Sequence, residues 1–118
     1  MQVTNVRANL EVHDVTEAAE WFSRLLGTQV FVTMGEPVDF ALIGVDSPLI
    51  ALCGTETPAV PTVASCYVDV AGVDGFHDQA VTAGLEVTHP LTTHPYGQRD
   101  FVVRGPSGHQ VAVGERLG

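Results

Sequence analysis

Apolar and polar residues alternate along two short segments that hold corresponding places in the two halves of the chain. The first segment is Val6 to Val12 and the second is Ser65 to Val70. A period of two is typical of a strand with one buried face and one open face. The alternation predicts that these side chains lie under a helix: Val6, Ala8, Leu10 and Val12 in the first half, and Cys66, Val68 and Val70 in the second.

A helical period of apolar residues follows each of these strands. The first helix is predicted after Thr16, its expected N-cap, and Gly27 is expected to end it. The second helix is predicted after Asp74 as its cap, and Gly84 is expected to close it. Both glycines suit the left-handed conformation that commonly ends a helix.

Three strands are predicted after each helix. In the first half they cover residues 29–33, 38–44 and 49–53, and in the second half they cover 85–88 and a hairpin around Pro106-Ser107-Gly108. The chain therefore reads as one module used twice. We expect an α+β fold with a single domain over residues 1–118. We expect this domain to consist of a first module at about 4–54, a linker at about 55–63 and a second module at about 64–118.

The same alternation predicts a polar face on the side of each sheet away from its helix, which we call the open face. Its expected members are Arg7, Asn9, Glu11, Ser65, Tyr67, Asp69, Gln110 and Ala112. A curved sheet with a polar concave face suits a small-molecule site. Glu11 and Asp69 either act together as acid and base or balance the charge of Arg7.

The charge balance narrows the choice of partners. The net charge is −9 and the sequence contains no lysine, so we expect no nucleic-acid partner. Cationic ligands and plain solubility both remain open explanations. No segment has the length of a bilayer span or the pattern of an export signal, which favours a cytoplasmic protein without a membrane partner. Cys53 and Cys66 are expected to be free thiols, although one disulfide is possible.

Three parts of the sequence carry a resemblance to a known family. They are the segment from Val12 to Gly27, the opening of the second half from Tyr67 to Val73, and the tail from Tyr96 to Val113. The chain resembles the glyoxalase, bleomycin resistance protein and extradiol dioxygenase superfamily (vicinal oxygen chelate proteins). The tail is most similar to the metal-free, bleomycin-resistance-like branch that binds antibiotics, although Gly105 replaces its usual aspartate before Pro106. The resemblance implies two βαβββ modules that form a cup-shaped, half-open barrel, and a homodimer.

The resemblance also implies where enzymes of the family hold a divalent metal. The matching positions here are Arg7, Ser65 and Ala112, with Leu52 near the remaining one. An arginine repels a cation and an alanine has no donor atom, so neither a metal nor another cofactor is expected. His109 lies in the tail turn. His89 and His94 lie in a predicted loop, where they are either solvated or a metal-binding pair.

Together these features predict a bacterial, metal-free protein that binds an antibiotic or natural product, aromatic or cationic, and gives resistance by sequestration. No catalytic residue is assigned. The expected ligand-binding residues are Arg7, Asn9, Glu11, Phe40, Ser65, Tyr67, Asp69, His94, Tyr96, Arg99, Gln110 and Ala112. The alternatives are a metal-dependent lyase or isomerase of the glyoxalase type, a dioxygenase, a divergent member with a metabolic or regulatory ligand, or a metal-free catalyst.

Overall fold

The structure is a computed structural model that describes residues 1–59 and 64–118. The predicted linker at about 55–63 therefore falls partly on residues 60–63, outside the described residues. The elements follow the order strand, helix, three strands, twice over. They are β1 (Ala8–Val12), α1 (Val15–Leu26), β2 (Gln29–Met34), β3 (Phe40–Val45), β4 (Ser47–Gly54), β5 (Cys66–Asp69), α2 (Val73–Thr82), β6 (Glu86–Thr93), β7 (Gln98–Arg104) and β8 (Gln110–Arg116).

Each module contributes one four-stranded mixed sheet. The strand orders are β1-β4-β3-β2 and β5-β8-β7-β6. β1 pairs parallel with β4 and β5 pairs parallel with β8, whereas the other neighbours are antiparallel. The sheets do not close into a barrel, which is consistent with a half-open cup. The predicted α+β class and the βαβββ repeat are confirmed.

Helix α1 follows its predicted period but begins on a different cap. Ala18, Phe22 and Leu25 are buried against the first sheet. Asp14, not Thr16, is the N-cap, because its carboxylate accepts the backbone N–H of Glu17 at 3.0 Å. Gly27 ends the helix at φ 72°, as predicted.

Helix α2 begins without a side-chain cap of its own. Its N-cap is Gly72 at φ 82°, and the predicted cap Asp74 lies inside the first turn. The N–H of Val73 is instead satisfied from another element, by the carboxylate of Glu115 on β8 at 3.1 Å. A distant carboxylate thus replaces the local cap that the sequence suggested.

The core of each module lies between its helix and the covered face of its sheet. Leu10 and Val12 are buried there as predicted, and so are Val111 and Val113. Val6 is not, because β1 begins only at Ala8 and leaves Val6 81% exposed. No helix in residues 1–59 and 64–118 is long and apolar enough to cross a membrane.

The two modules contact each other through the turn between β7 and β8. His109 is buried in this turn, where its Nδ1 and the Ser65 hydroxyl are 2.8 Å apart and its Nε2 reaches the carbonyl oxygen of Glu11. The Ser107 hydroxyl accepts the N–H of His13 at 2.8 Å. Since an N–H must face the Glu11 carbonyl, Nδ1 is the acceptor and Ser65 donates to it. His109 is therefore a connection between modules.

Candidate functional site

The open face of the second sheet collects side chains from three strands. Tyr67 lies opposite Ala112, and Asp69 lies opposite Gly114. Across the next strand pair, Gly114 lies opposite Asp100 and Ala112 opposite Val102. Residues directly opposite one another project from the same face of a sheet. Tyr67, Asp69 and Asp100 therefore share this face, with alanine and glycine between them.

Tyr67 lies across the centre of this face and is held by hydrogen bonds at its hydroxyl. The hydroxyl donates to Oδ2 of Asp100 at 2.9 Å and accepts from Nε2 of Gln98 at 2.8 Å. The ring passes directly over Gly114, where an added Cβ would lie 2.6 Å from the tyrosine Cζ. Glycine at this position is what allows the ring to lie down on the sheet.

The connection between β6 and β7 adds an imidazole and a second aromatic ring. Nε2 of His94 is 2.7 Å from Oδ1 of Asp100, and the His94 ring stacks on Tyr96 with centroids 5.0 Å apart. The backbone N–H of His94 donates to the carbonyl oxygen of Gln98 at 2.7 Å, which holds the two ends of the turn together. We call Tyr67, His94, Tyr96, Gln98 and Asp100 the aromatic–acid cluster.

The charges in the cluster favour positive or hydrogen-donating ligands. Asp100 accepts from both Tyr67 and His94, and its side chain is only 14% exposed. Burial raises the pKa of Tyr67; the bond from Gln98 lowers it, whereas the carboxylates of Asp100 and Asp69 raise it. The phenol therefore stays protonated and remains a donor. Two aromatic rings beside carboxylates form a surface suited to a flat or cationic molecule.

Other predicted ligand-binding residues of the second module lie around this cluster or away from it. Ala112 is on the open face, and Gln110 accepts a hydrogen bond from Thr88 at 2.9 Å. The Ser65 hydroxyl is instead used by His109. Arg99 projects towards α2, where it pairs with Asp74 at 2.8 Å. The Arg99 bond lowers the pKa of Asp74.

The predicted residues of the first module lie on their own sheet. Glu11 is opposite Cys53, which is in turn opposite Phe40, so these share the open face of the first sheet. The Glu11 carboxylate accepts the N–H of Ala59 at 2.9 Å. Asn9 is opposite Ala51 on the same face, and Arg7 lies exposed before β1. Within the described residues, no hydrogen bond joins these four predicted residues to the aromatic–acid cluster.

Gln98 and Asp100 are the cluster members that the sequence did not single out. The alternation of side chains along β7 could have identified Asp100. Phe101 is apolar and belongs to the core, so its neighbour Asp100 projects from the other face of the sheet. By the same rule Arg99 faces the helix. β6 is also longer than its pattern indicated: it reaches Thr93, so His89 lies in a strand and His94 follows directly after it.

The residues at the expected metal positions do not fit a divalent cation. Arg7 carries a positive charge, Ala112 offers a methyl group, and the Ser65 hydroxyl is hydrogen-bonded to His109. Leu52 is fully buried on the side of the helix. No three histidine, cysteine, aspartate or glutamate side chains converge as a ligand set in the parts of the chain that the structure describes.

Comparison with known proteins gives a family match along most of the chain. Residues 6–113 match the model of the Glyoxalase/Bleomycin resistance protein/Dioxygenase superfamily. No curated protein matches the chain significantly.

Several solved structures share the fold. TioX from Micromonospora sp. ML1 is 21% identical and has a TM-score of 0.81, with 98% of this chain and 100% of that chain covered. Lactoylglutathione lyase from Agrobacterium tumefaciens is 20% identical over 97% and 94% of the two chains, with a TM-score of 0.76. The fosfomycin resistance protein FosX from Listeria monocytogenes is 11% identical over 98% and 94%, with a TM-score of 0.77. At these identities the likeness concerns the fold alone.

Proposed function

The chain belongs to the Glyoxalase/Bleomycin resistance protein/Dioxygenase superfamily, and from this membership we propose that it binds an aromatic or cationic small molecule at the aromatic–acid cluster. Members of the superfamily bind small molecules. We further propose that binding needs no metal and gives antibiotic resistance by sequestration. The single observation that carries the proposal is the hydrogen-bonded group of Tyr67, Asp100 and His94 on an otherwise small-residue face.

The cluster supports binding because its geometry is already formed. Tyr67 is fixed by two hydrogen bonds and His94 by one, so little side-chain freedom remains to be lost when a ligand arrives. Tyr96 is 71% exposed and offers its ring to solvent. Ala112 and Gly114 keep the sheet surface low beneath the Tyr67 ring, so the ring itself is the surface that a flat molecule would meet.

A second copy of the chain is the partner we propose for completing the site. β2 is an edge strand whose apolar side chains are exposed, among them Val30, Val32 and Met34. Such a strand is unfavourable on a free surface. Pairing two copies would cover it and would place a second wall over each open face.

The direct test measures ligand binding and metal content on the same purified protein. Titration of proflavine (a flat aromatic cation), bleomycin and fosfomycin is followed by native mass spectrometry, alongside elemental analysis. We expect an aromatic cation to bind at one molecule per chain in metal-free protein. Fosfomycin, a small anion without an aromatic ring, should not bind. Tyr67→Ala should weaken binding by about 1 kcal/mol, which is roughly fivefold.

The control variant is His89→Gln, because His89 lies on β6 outside the cluster and bonds only weakly to Thr88 at 3.4 Å. It should leave the affinity unchanged. A stoichiometric transition metal in the protein, with fosfomycin binding that depends on it, would instead support the metal-dependent alternative. Equal affinity for proflavine in the wild type and Tyr67→Ala would remove Tyr67 from the site.

A further inference from the structure

The two hairpin turns of the repeat meet the opposite module in different ways. The second turn, residues 105–109 between β7 and β8, sits tightly against α1. A Cβ placed on Gly105 would lie 3.5 Å from the Trp21 ring. The space left between this turn and α1, beside Val12 and Ala18, has a volume of only about 10 Å³. We call the surface of a module that faces the hairpin turn of the other module its seat, and His109 fills the rest of the seat on the first module.

The corresponding seat on the second module is not filled by the first hairpin. Val12 corresponds in the repeat to Val70, and Ala18 corresponds to Phe76. Between these residues and the first hairpin lies a cavity of about 610 Å³. The first hairpin has only Asp46 between β3 and β4, where the second has five residues, so it has no segment that reaches into the seat. The apolar lining comes from both modules: Val6, Ala8, Leu26, Val45, Leu49, Ile50, Cys66, Val68, Val70, Ala71 and Phe76.

Thr28 carries a buried hydroxyl beside this cavity. It follows α1, is only 8% exposed, and lines the cavity. Its Oγ1 is the sole buried side-chain oxygen or nitrogen, among the residues described, that makes no hydrogen bond. This oxygen has almost no accessible surface, so other atoms of Thr28 face the cavity and the hydroxyl offers no contact to a molecule inside it.

We propose that this cavity between the modules is a second ligand site, for an uncharged and mainly apolar molecule. The volume is within the range of pockets that hold small ligands. The side chains around it are mostly aliphatic. Asp69 lies at the edge of the cavity, and its carboxylate disfavours fatty acids and other anions. The site lies on the covered side of the sheets and adjoins the aromatic–acid cluster at Tyr67, which also lines the cavity.

The probe for this site is N-phenyl-1-naphthylamine, a neutral apolar dye with one N–H group that brightens in apolar surroundings. We expect saturable brightening with one dye per chain. Val68→Trp places an indole in the cavity and should reduce the dye affinity at least tenfold. Full-strength dye binding in Val68→Trp, or no saturable binding to the wild type, overturns the proposal. Thermal unfolding of Val68→Trp confirms that it is folded.

Thr28→Val is the matched control for Val68→Trp, because it changes a lining residue without filling the cavity. The two side chains have nearly the same shape, and valine removes only the unpaired oxygen. We expect Thr28→Val to unfold at a higher temperature without the dye and to bind the dye as the wild type does, since the lost oxygen is not accessible from the cavity. A loss of dye affinity in Thr28→Val as large as that in Val68→Trp would contradict the proposal.

A second copy of the chain is the other occupant that this test detects. Sedimentation velocity is run at the protein concentrations of the dye titration. Loss of dye binding as the chain self-associates would show that a partner covers the cavity, and would overturn the proposal of a ligand site. Proflavine binding is measured in the same samples, so failure of the cavity and failure of the aromatic–acid cluster are observed separately.

Discussion

Gly114→Ala tests the aromatic–acid cluster without removing any of its side chains. An added methyl group would overlap the Tyr67 hydroxyl and lie 2.9 Å from Cβ of Asp100. The tyrosine ring must therefore leave the sheet, which breaks its bonds to Asp100 and Gln98. Everything else in the cluster stays in the sequence.

The expected loss of stability from this change has three parts. Each broken bond is worth about 0.5–1.5 kcal/mol, with the lower half of the range fitting a side chain that is 43% exposed. Replacing a strand glycine by alanine returns roughly 0.5–1 kcal/mol of backbone entropy. The 2.9 Å approach to Cβ of Asp100 remains after the tyrosine leaves, and the backbone shift that relieves it costs about 1–3 kcal/mol. The free energy of unfolding should therefore fall by about 1–4 kcal/mol.

The decisive assay is an ultraviolet absorbance titration of the two tyrosines of the chain. Burial and the nearby carboxylates raise the pKa of Tyr67 in the native protein. In Gly114→Ala this pKa should fall towards the ordinary tyrosine value, because the ring moves into solvent, and proflavine affinity should fall with it. Gly75→Ala is the control: its Cβ meets nothing within 4 Å in α2, so it should stabilise by about 0.5–1 kcal/mol and leave Tyr67 unchanged. An unaltered Tyr67 titration in Gly114→Ala would refute the reasoning.

Three further outcomes follow from the rest of the structure. His109→Ala removes the hydrogen-bond partner of Ser65 and of the Glu11 carbonyl, so the free energy of unfolding measured in urea should fall by about 2 kcal/mol. An unchanged urea midpoint would show that this contact between the modules does not stabilise the protein. Burial raises the pKa of Cys66 to about 11, so at pH 8 iodoacetamide should modify it roughly a hundredfold more slowly in native than in unfolded protein; equal rates contradict its burial. Because the pKa of Cys66 is higher in the folded than in the unfolded protein, its contribution to the free energy of unfolding is complete below pH 9 and is lost as the pH rises towards 11. Urea unfolding at a series of alkaline pH values, with Cys66→Ala as the control, measures this loss.

Much of the fold could be predicted because it depends on local periods. The alternation of Leu10 and Val12 and the glycine after α1 are properties of the chain itself. The helix caps could not be predicted as well. Asp14 competes with Thr16 only two residues away, and Val73 is capped by Glu115, a residue that no local pattern connects to it.

The candidate site was predictable only in part, for a similar reason. Alternation placed Tyr67 and Ala112 on one face, and the loop containing His94 and Tyr96 contained candidates for the cleft. The hydrogen bonds that join these residues pass through Asp100, and they require knowing that β7 lies two strands away from β5. Arg99 was predicted to contact the ligand, whereas its register in β7 turns it towards Asp74.

The difference in length between the two hairpin turns has a consequence for how the halves can be exchanged. A chain built from two second modules would have a long turn filling both seats and would lack the cavity between the modules. A chain built from two first modules would have no such turn, and its halves would contact each other mainly through their helices. Insertion or deletion in these turns therefore changes the number of internal cavities without changing any strand. In this chain, the unequal length of the two turns is therefore what makes the duplicated halves differ at their contact.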